Sequence, residues 1–197
     1  MNLFDKTQQA QFASLTEEQK KEMQQQFREK LQYVETFEGI PVYLQPIFTF
    51  ELDICDIASG YAAKFDVDVD GNGIETPIII LSETANNSEY RNAILWHEHG
   101  HHALNHLDGK TESNRVEAEE LEADMWSYLN NGPEILEWLV QTRKQMREVY
   151  EKYTPTLEFF QEHNLTEYTP EELLREALDR RDYSLNELDV RIQALIK

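Results

Sequence analysis

The nine residues that decide the fold of this chain read Ile94-Leu95-Trp96-His97-Glu98-His99-Gly100-His101-His102. Their surroundings predict a helix from about Ser88 to Leu107, ended by Gly109. His97 and His101 are four positions apart, so a helix places both imidazoles on one face, one turn from each other. Two imidazole nitrogens in that arrangement can meet one zinc ion at about 2.0–2.1 Å.

Glu98 is the candidate catalytic residue of this helix. It projects roughly 100° around the helix from His97 and therefore flanks the metal position. From there its carboxylate can take a proton from a zinc-activated water and pass it to a leaving amine. Ile94 and Leu104 share the face of the two histidines, which predicts that the imidazoles point inward. The alternative is an exposed, histidine-rich helix that binds no metal.

A catalytic zinc takes three protein ligands and leaves one position for water. A second helix is predicted over residues 113–129, and one of its faces carries Glu117, Glu120 and Asp124. Glu120 is the preferred third ligand and Glu117 is the alternative. Asp124, one turn beyond Glu120, can accept a hydrogen bond from a ligand histidine and fix its orientation.

Other charged and histidine residues of these two helices are predicted to face solvent. Glu119 and Glu122 turn away from the ligand face, although Glu122 is the next ligand candidate after Glu117. Ala123 is small enough to let the two helices approach closely. A further cluster is predicted on the solvent face of the first helix: His99, His102 and His106.

Two motifs together carry a family resemblance: His97-Glu98-x-Gly100-His101 and Glu120-x-x-Ala123-Asp124. They resemble the gluzincin peptidases, which hold zinc with two histidines and a glutamate. The pairing looks most like the ImmA/IrrE family and the soluble catalytic part of the HtpX family, over about residues 74–130. The resemblance implies that Glu120 is the third ligand and that an edge strand aligns the substrate backbone. Residues 74–81 are predicted to be that edge strand, because Pro77 cannot donate to a ladder.

The predicted fold class is α+β, and with the resemblance it is a minimal zincin-like core. Thr16 and Gln19 resemble a capping box in an N-terminal helix that extends through residue 36. A small antiparallel sheet follows, with a hairpin over residues 65–81 that turns at residues 70–73.

The last third of the chain is predicted to be helical. Pro133 opens a third helix that reaches about Tyr153, and Thr169 and Ser184 start two further short helices. The predicted domains are therefore a metallopeptidase domain, residues 1–132, and a helical extension packed on the same domain, residues 133–197.

Charge and composition restrict the partners. The net charge is −20, with 38 acidic and 18 basic residues, which argues against binding to nucleic acid phosphates. Such charge favours solubility, and it also suits a basic protein partner. Cys55 is the single cysteine, which excludes an intrachain disulfide and indicates a reducing compartment. Neither a signal sequence nor a run of about 20 apolar residues is present, so a cytoplasmic protein away from membranes is expected.

The function expected from the sequence is a zinc endopeptidase with one zinc per chain, acting on a protein or peptide with Glu98 as general base. An oxyanion stabiliser is expected near the zinc; Tyr128, Tyr90 and Arg115 are candidates, and the sequence does not choose among them. Two alternatives remain: a non-catalytic zinc-containing module, and an acidic inhibitor or DNA mimic in which the motif is incidental.

Overall fold

The computed structural model describes residues 16, 19, 29–44, 60–65, 76–106, 113–153, 156–158, 161 and 169–197. The architecture of this part is α+β, with a small mixed sheet and mostly helices. Its strands are β1 (Gln32–Phe37), β2 (Ile40–Leu44), β3 (Gly60–Phe65) and β4 (Thr76–Leu81). Its helices are α1 (Glu83–Asn86), α2 (Arg91–Ala103), α3 (Ser113–Asn131), α4 (Glu134–Tyr153) and α5 (Pro170–Ile196).

The prediction of a helix through residue 36 is wrong, because the residues just before Glu38 and Gly39 form a strand. Thr16 and Gln19 do form the capping box, with reciprocal hydrogen bonds of 2.9 and 3.2 Å. Strand β1 follows, because Gln-Tyr-Val-Glu-Thr-Phe is mostly aromatic and β-branched. Glu38 and Gly39 have φ angles of 47° and 85°, which is the backbone of a tight hairpin turn into β2.

The sheet has the strand order β1-β2-β4-β3. Strands β2 and β4 are parallel and the other neighbours are antiparallel, so the predicted purely antiparallel sheet is wrong. Residues 45–75 separate these two parallel strands in the sequence, which is more than the dozen or so residues that a parallel connection needs. Strand β3 (Gly60–Phe65) pairs antiparallel with β4. The first strand of the predicted hairpin begins at residue 65, and its remaining residues, 66–69, lie outside the described residues. The predicted turn at residues 70–73 lies outside the described residues.

Strand β4 lies between β2 and β3, so the prediction that it runs along a sheet edge is also wrong. Within β4, only residues 79–81 pair with β2. Pro77 precedes that part and is flanked by β3 alone among the described strands. A proline there removes no hydrogen bond with β2. Within the described part of the chain, the edges of the sheet are β1 and β3.

Helix α2 lies between two apolar clusters. The cluster toward the sheet consists of Ile40, Val42, Ile79, Leu81, Ala85, Ile94 and Leu95. The cluster toward the C-terminal helices consists of Ala93, Ile135, Leu139, Leu188 and Ile192. Trp138 of α4 packs against both. The helices after residue 133 thus cover the side of α2 that faces away from the sheet, while the division at residue 132 stays a prediction.

The helix boundaries after α2 follow the predicted stop signals closely. Helix α3 ends at Asn131 and α4 begins at Glu134. Between them Gly132 has a φ of 79° and its N–H donates to the carbonyl of Tyr128 at 2.9 Å. Glycine is favoured there because a left-handed backbone carries no steric cost without a side chain.

Helix α5 is longer than predicted. Thr169 and Glu172 form a capping box at its start, as expected, but the helix continues without interruption to Ile196. Ser184 therefore lies inside a helix instead of starting one. The buried side chains of Leu188 and Ile192 explain the continuity, since tertiary packing outweighs a local capping signal. None of the described helices combines the length and apolarity that crossing a bilayer requires.

Candidate metal centre

Helices α2 and α3 cross in close contact at Gly100. A Cβ atom at this position would lie 3.1 Å from both the Cα of Ala123 and the Cβ of Trp126, so a larger residue would separate the helices. Ala123 is fully buried at the crossing, as the sequence predicts. Nearby, the hydroxyl of Ser127 donates to the carbonyl of Ala93 at 2.9 Å. These contacts fix the distance between the two helices that carry the predicted ligands.

Three donor groups converge beside this crossing, from His97, His101 and Glu120. The Nε2 atoms of the two histidines lie 3.2 Å apart. Glu120 places Oε2 at 3.3 Å from His97 Nε2 and Oε1 at 3.4 Å from His101 Nε2. A tetrahedral ion at about 2.0–2.1 Å from each donor spaces the donors roughly 3.3 Å apart. The three side chains are therefore close enough to bind one metal ion.

The centre is largely enclosed by protein. His97 and His101 are buried, with 3% and 9% of their surface exposed, as expected from the apolar residues on their helix face. The ring of His97 lies 5.8 Å from that of Trp138. Of the three side chains in the cluster, Glu120 is the most exposed, with 25% of its side chain in contact with solvent. Among the described residues, solvent thus reaches the cluster at Glu120 more than at the two histidines.

Asp124 is placed as the sequence predicts, behind His97. Its Oδ1 lies 2.9 Å from His97 Nδ1, although the N–H is not well aligned with that oxygen. The Asp124 side chain is fully buried. A buried carboxylate in this position favours the tautomer that carries a proton on Nδ1, which turns the Nε2 lone pair of His97 toward Glu120.

Arg191 of α5 lies at this centre, and it was not predicted from the sequence. Its Nε and Nη2 donate to the two carboxylate oxygens of Asp124 at 2.6 and 2.8 Å. Its Nη1 lies 3.0 Å from Glu120 Oε2. One feature of the sequence could have indicated this role: Arg191 lies among Leu188 and Ile192 on the apolar stripe of a helix. An arginine in that position is expected to be buried, and a buried cation requires an acidic partner.

The charges at the centre are strongly coupled. Burial lowers the pKa of His97, but contacts with Asp124 and Glu120 outweigh it and raise that pKa to about 10. Burial raises the pKa of Glu120, but His101, His97 and Arg191 hold it well below its usual range. Burial likewise opposes ionisation of Asp124, whose pKa is lowered by Arg191 and His97. These pKa shifts favour ionised carboxylates at Glu120 and Asp124. In the protein without metal they favour the imidazolium form of His97, which carries a proton on both ring nitrogens.

Glu98 is buried, with 5% of its surface exposed. Its negative charge contributes to the raised pKa of His97, which places the carboxylate within electrostatic reach of the centre. The sequence predicts a general base beside the metal position, and the position of Glu98 is compatible with that role.

The histidines predicted for the solvent face of α2 all have partners inside the protein, so that prediction is wrong. His99 accepts a hydrogen bond from Trp126 Nε1 at 3.1 Å, and burial lowers its pKa. His102 Nε2 donates to the carbonyl of Ile78 at 2.8 Å. His106 is buried and contacts His101.

The remaining acidic candidates lie outside the donor cluster. Glu117 accepts a hydrogen bond from the hydroxyl of Tyr183 at 2.7 Å. Glu122, predicted to be solvated, has 64% of its side chain exposed but contacts His106 at 3.0 Å. Glu119 is half-buried.

The three candidate oxyanion stabilisers are not brought to the centre by a described contact. Within the described part of the chain, no hydrogen bond or ring contact joins Tyr90 or Tyr128 to the donor groups, and Tyr128 is exposed. The side chain of Arg115 lies outside the described residues. The stabiliser therefore stays unassigned.

Comparison of the chain with protein-family models, with curated proteins and with solved structures finds no match. The class of protein is therefore defined by the fold and the site alone. It is an α+β protein in which two closely crossing helices hold a His-His-Glu cluster whose donor atoms lie close enough together to bind a metal ion.

Proposed function

We propose that this protein is a zinc-dependent endopeptidase that hydrolyses a protein or peptide substrate. The observation that carries the proposal is the convergence of His97 Nε2, His101 Nε2 and the Glu120 carboxylate. The two Nε2 atoms lie 3.2 Å apart, Glu120 Oε2 lies 3.3 Å from His97 Nε2, and Glu120 Oε1 lies 3.4 Å from His101 Nε2. Glu98 is adjacent to His97 in the helix. Two imidazoles and one carboxylate form a ligand set typical of catalytic zinc. The resemblance of the two motifs to gluzincin peptidases supports the same ligand set.

The donor chemistry itself favours a bound cation. If His97 carries its proton on Nδ1 toward Asp124, its Nε2 lone pair faces a second imidazole and a carboxylate. Such converging acceptors repel one another unless a positive charge lies between them. In the protein without metal a proton on His97 supplies that charge, consistent with the raised pKa. A divalent ion supplies more charge and satisfies all three donors at once.

The proposed chemistry divides the work between the ion and the protein. When bound, zinc activates a water molecule and polarises a carbonyl group for attack. His97, His101 and Glu120 hold the ion, and Asp124 with Arg191 holds the first histidine and the glutamate in place. Glu98 accepts the proton of the attacking water and transfers it to the leaving amine.

The metal part of the proposal is tested by metal analysis of tag-free protein purified without chelator. We expect one zinc per chain in the wild type, and loss or strong weakening of binding in Glu120→Ala. Glu119→Ala, which removes the neighbouring carboxylate of the same helix, is the matched control and should retain zinc. Wild-type protein that takes up no zinc even after zinc is added would overturn the proposal. Attention would then move to the acidic surface and a basic partner.

The catalytic part is tested with Glu98→Gln, which keeps the size of the side chain and removes the base. We expect zinc to be retained and hydrolysis of an unfolded, fluorescently labelled protein and of a random peptide mixture to be lost. A loss of about 100-fold or more is in the range of a general base. If zinc-loaded wild type and Glu98→Gln proteins behave alike in every assay of function, the protein is a non-catalytic zinc module.

A further inference from the structure

The C-terminal turn of α2 folds His106 back onto the metal centre. Asn105 has a φ of 59°, which is the left-handed conformation that asparagine tolerates better than most residues. The N–H of His106 donates to the carbonyl of His101 at 2.9 Å, and the N–H of Asn105 donates to that of His102 at 3.2 Å. This pair of bonds is a Schellman motif. It reverses the chain direction so that the side chain of His106 lies beside His101.

The side chains of this turn form a chain of polar contacts that leads to the candidate ligand. His101 Nδ1 lies 3.1 Å from His106 Nδ1. His106 Nε2 in turn lies 3.0 Å from Glu122 Oε2 on α3. Only 5% of the His106 side chain is exposed, so both of its ring nitrogens depend on these partners.

For a neutral His106, the donor and acceptor groups fix the direction of both hydrogen bonds. Glu122 as a carboxylate can only accept, so His106 Nε2 must donate to it. A neutral His106 then has a bare Nδ1, which can only accept from His101 Nδ1–H. Neutral His101 with its proton on Nδ1 keeps the Nε2 lone pair for a metal ion. The opposite tautomer of His101 would put a proton on the Nε2 that faces His97 and would block the site.

We propose that His106, held by the Schellman turn and by Glu122, is a positioning residue that fixes His101 in its metal-binding tautomer and orientation. The inference deepens the proposed function and rests on its metal site. It assigns to His106 the role toward His101 that Asp124 has toward His97. Groups that hold a metal-binding histidine in this way typically contribute about 10–100-fold to metal affinity.

The first test is zinc affinity, measured by competition with a chromogenic chelator. We expect His106→Phe to bind zinc about 10–100-fold more weakly than the wild type. His106→Gln should recover much of the loss, because its Oε1 can accept from His101 while its amide donates to Glu122. The control is His102→Gln, which changes the adjacent histidine of α2 and should bind as the wild type does. Equal zinc affinity of His106→Phe and wild type would overturn the inference.

The second test needs no substitution and therefore does not depend on whether His106→Phe folds. Nitrogen-15 NMR of the histidine rings in zinc-loaded wild-type protein assigns the protonated nitrogen of each ring. We expect the proton of His101 on Nδ1 and that of His106 on Nε2. Coordination of zinc through His101 Nδ1, or a proton on His106 Nδ1, would overturn the inference while leaving the metal site intact. A wild-type protein that binds no zinc would instead overturn the proposed function and this inference with it.

Discussion

The two histidines of the metal centre are held from opposite sides by different kinds of support. Behind His97, Asp124 is fully buried and is paired with Arg191, which lies 67 residues further along the chain. Behind His101, the supporting group is His106, five residues away in the same turn. Its outer partner, Glu122, has 64% of its side chain exposed. The support of His97 is buried and long-range, whereas the support of His101 is local at His106 and partly solvated at Glu122.

The two supports differ in how much hydration their carboxylates, Asp124 and Glu122, lose on folding. A buried carboxylate loses its hydration on folding and is stable only while its cation remains in place. A carboxylate at the surface keeps its hydration and is screened by salt. The support of His97 should therefore be coupled to folding and to the docking of α5. The support of His101 should affect the geometry of the site with little effect on global stability.

The largest expected effect comes from removing the cation of the buried support. Arg191→Met keeps the bulk of the side chain but leaves Asp124 and Glu120 without their arginine. We expect the free energy of unfolding to fall by about 3–5 kcal/mol, the usual cost of leaving a buried charge unpaired. Urea denaturation followed by circular dichroism measures this loss, and chelator competition should show weaker zinc binding.

The matched control for Arg191 is Arg143, which pairs with Asp189 and also links α5 to its neighbour. About a third of the Arg143 side chain is exposed, at 31%. Arg143→Met should therefore change the free energy of unfolding by no more than about 1 kcal/mol. Equal costs for the two variants would mean that burial of the Asp124–Arg191 pair does not distinguish it from a surface ion pair.

A smaller effect is expected where both supports depend on the same contact, the crossing of α2 and α3. Gly100→Ala places a methyl group at 3.1 Å from Ala123 and Trp126, and relief requires the helices to separate. We expect a loss of about 1–3 kcal/mol, typical of overpacking. Because Glu120, Asp124 and Glu122 all lie on α3, zinc affinity should fall as well.

The control for Gly100→Ala is a change on the exposed side of the same helix. Ala103→Ser should leave the free energy of unfolding within about 0.5 kcal/mol of the wild type. If Gly100→Ala lowers zinc affinity but His97 keeps its protonated nitrogen in NMR spectra, the buried support tolerates the displacement better than the local one. If the protonated nitrogen of His97 changes instead, the support of His97 is the one that tolerates the displacement less well.

The parts of the fold that could be predicted are those with local signals. Helices α3 and α4 begin and end near the predicted positions because Gly132 and Pro133 break the chain between them. Spacing on a helix also predicts that His97 and His101 share one face and that Glu117, Glu120 and Asp124 share another. The choice of Glu120 over Glu117 rests on the resemblance to the gluzincin motifs. The crossing at Gly100 then brings the two faces together.

The features that escaped prediction depend on tertiary contacts or on competing local signals. Leu31 and Val34 have helical spacing with the residues before them, but the β-branched and aromatic residues of β1 and the turn at Gly39 favour a hairpin. Pro77 would exclude a central strand only if β2 extended alongside it and needed its N–H. Strand β2 pairs with residues 79–81 of β4 and does not reach Pro77. Arg191 carries no local mark of its partner, because Asp124 lies in another helix.

In the protein without metal, His97 should make the free energy of unfolding depend on pH. Its pKa is raised to about 10 in the folded state, against about 6.5 in an unfolded chain. The raised pKa stabilises the metal-free fold fully below about pH 6.5, and this contribution is lost as the pH rises through about 10. Zinc must displace the same proton, so apparent zinc affinity should rise by about tenfold per pH unit over this range.

Thermal unfolding of the metal-free protein between pH 6.5 and 10 measures the first effect, and chelator competition over the same range measures the second. His97→Gln removes the titrating group and should flatten the stability profile in this window. A wild-type profile as flat as that of His97→Gln would mean that Asp124 and Glu120 do not hold a proton on His97.

The smallest effect is expected at the outer end of the local support. Glu122→Gln removes the charge but leaves an oxygen that accepts the hydrogen bond from His106 Nε2, so the tautomer of His101 should be preserved. Because most of the Glu122 side chain is exposed, we expect zinc affinity to fall by less than about fivefold, equivalent to about 1 kcal/mol. Chelator competition at low and high salt separates the effect of the Glu122 charge from that of its hydrogen bond with His106. Added salt should abolish a difference in zinc affinity that is purely electrostatic. A loss as large as that of Arg191→Met would mean that the surface carboxylate and the buried arginine are equally important, and the contrast between the two supports would fail.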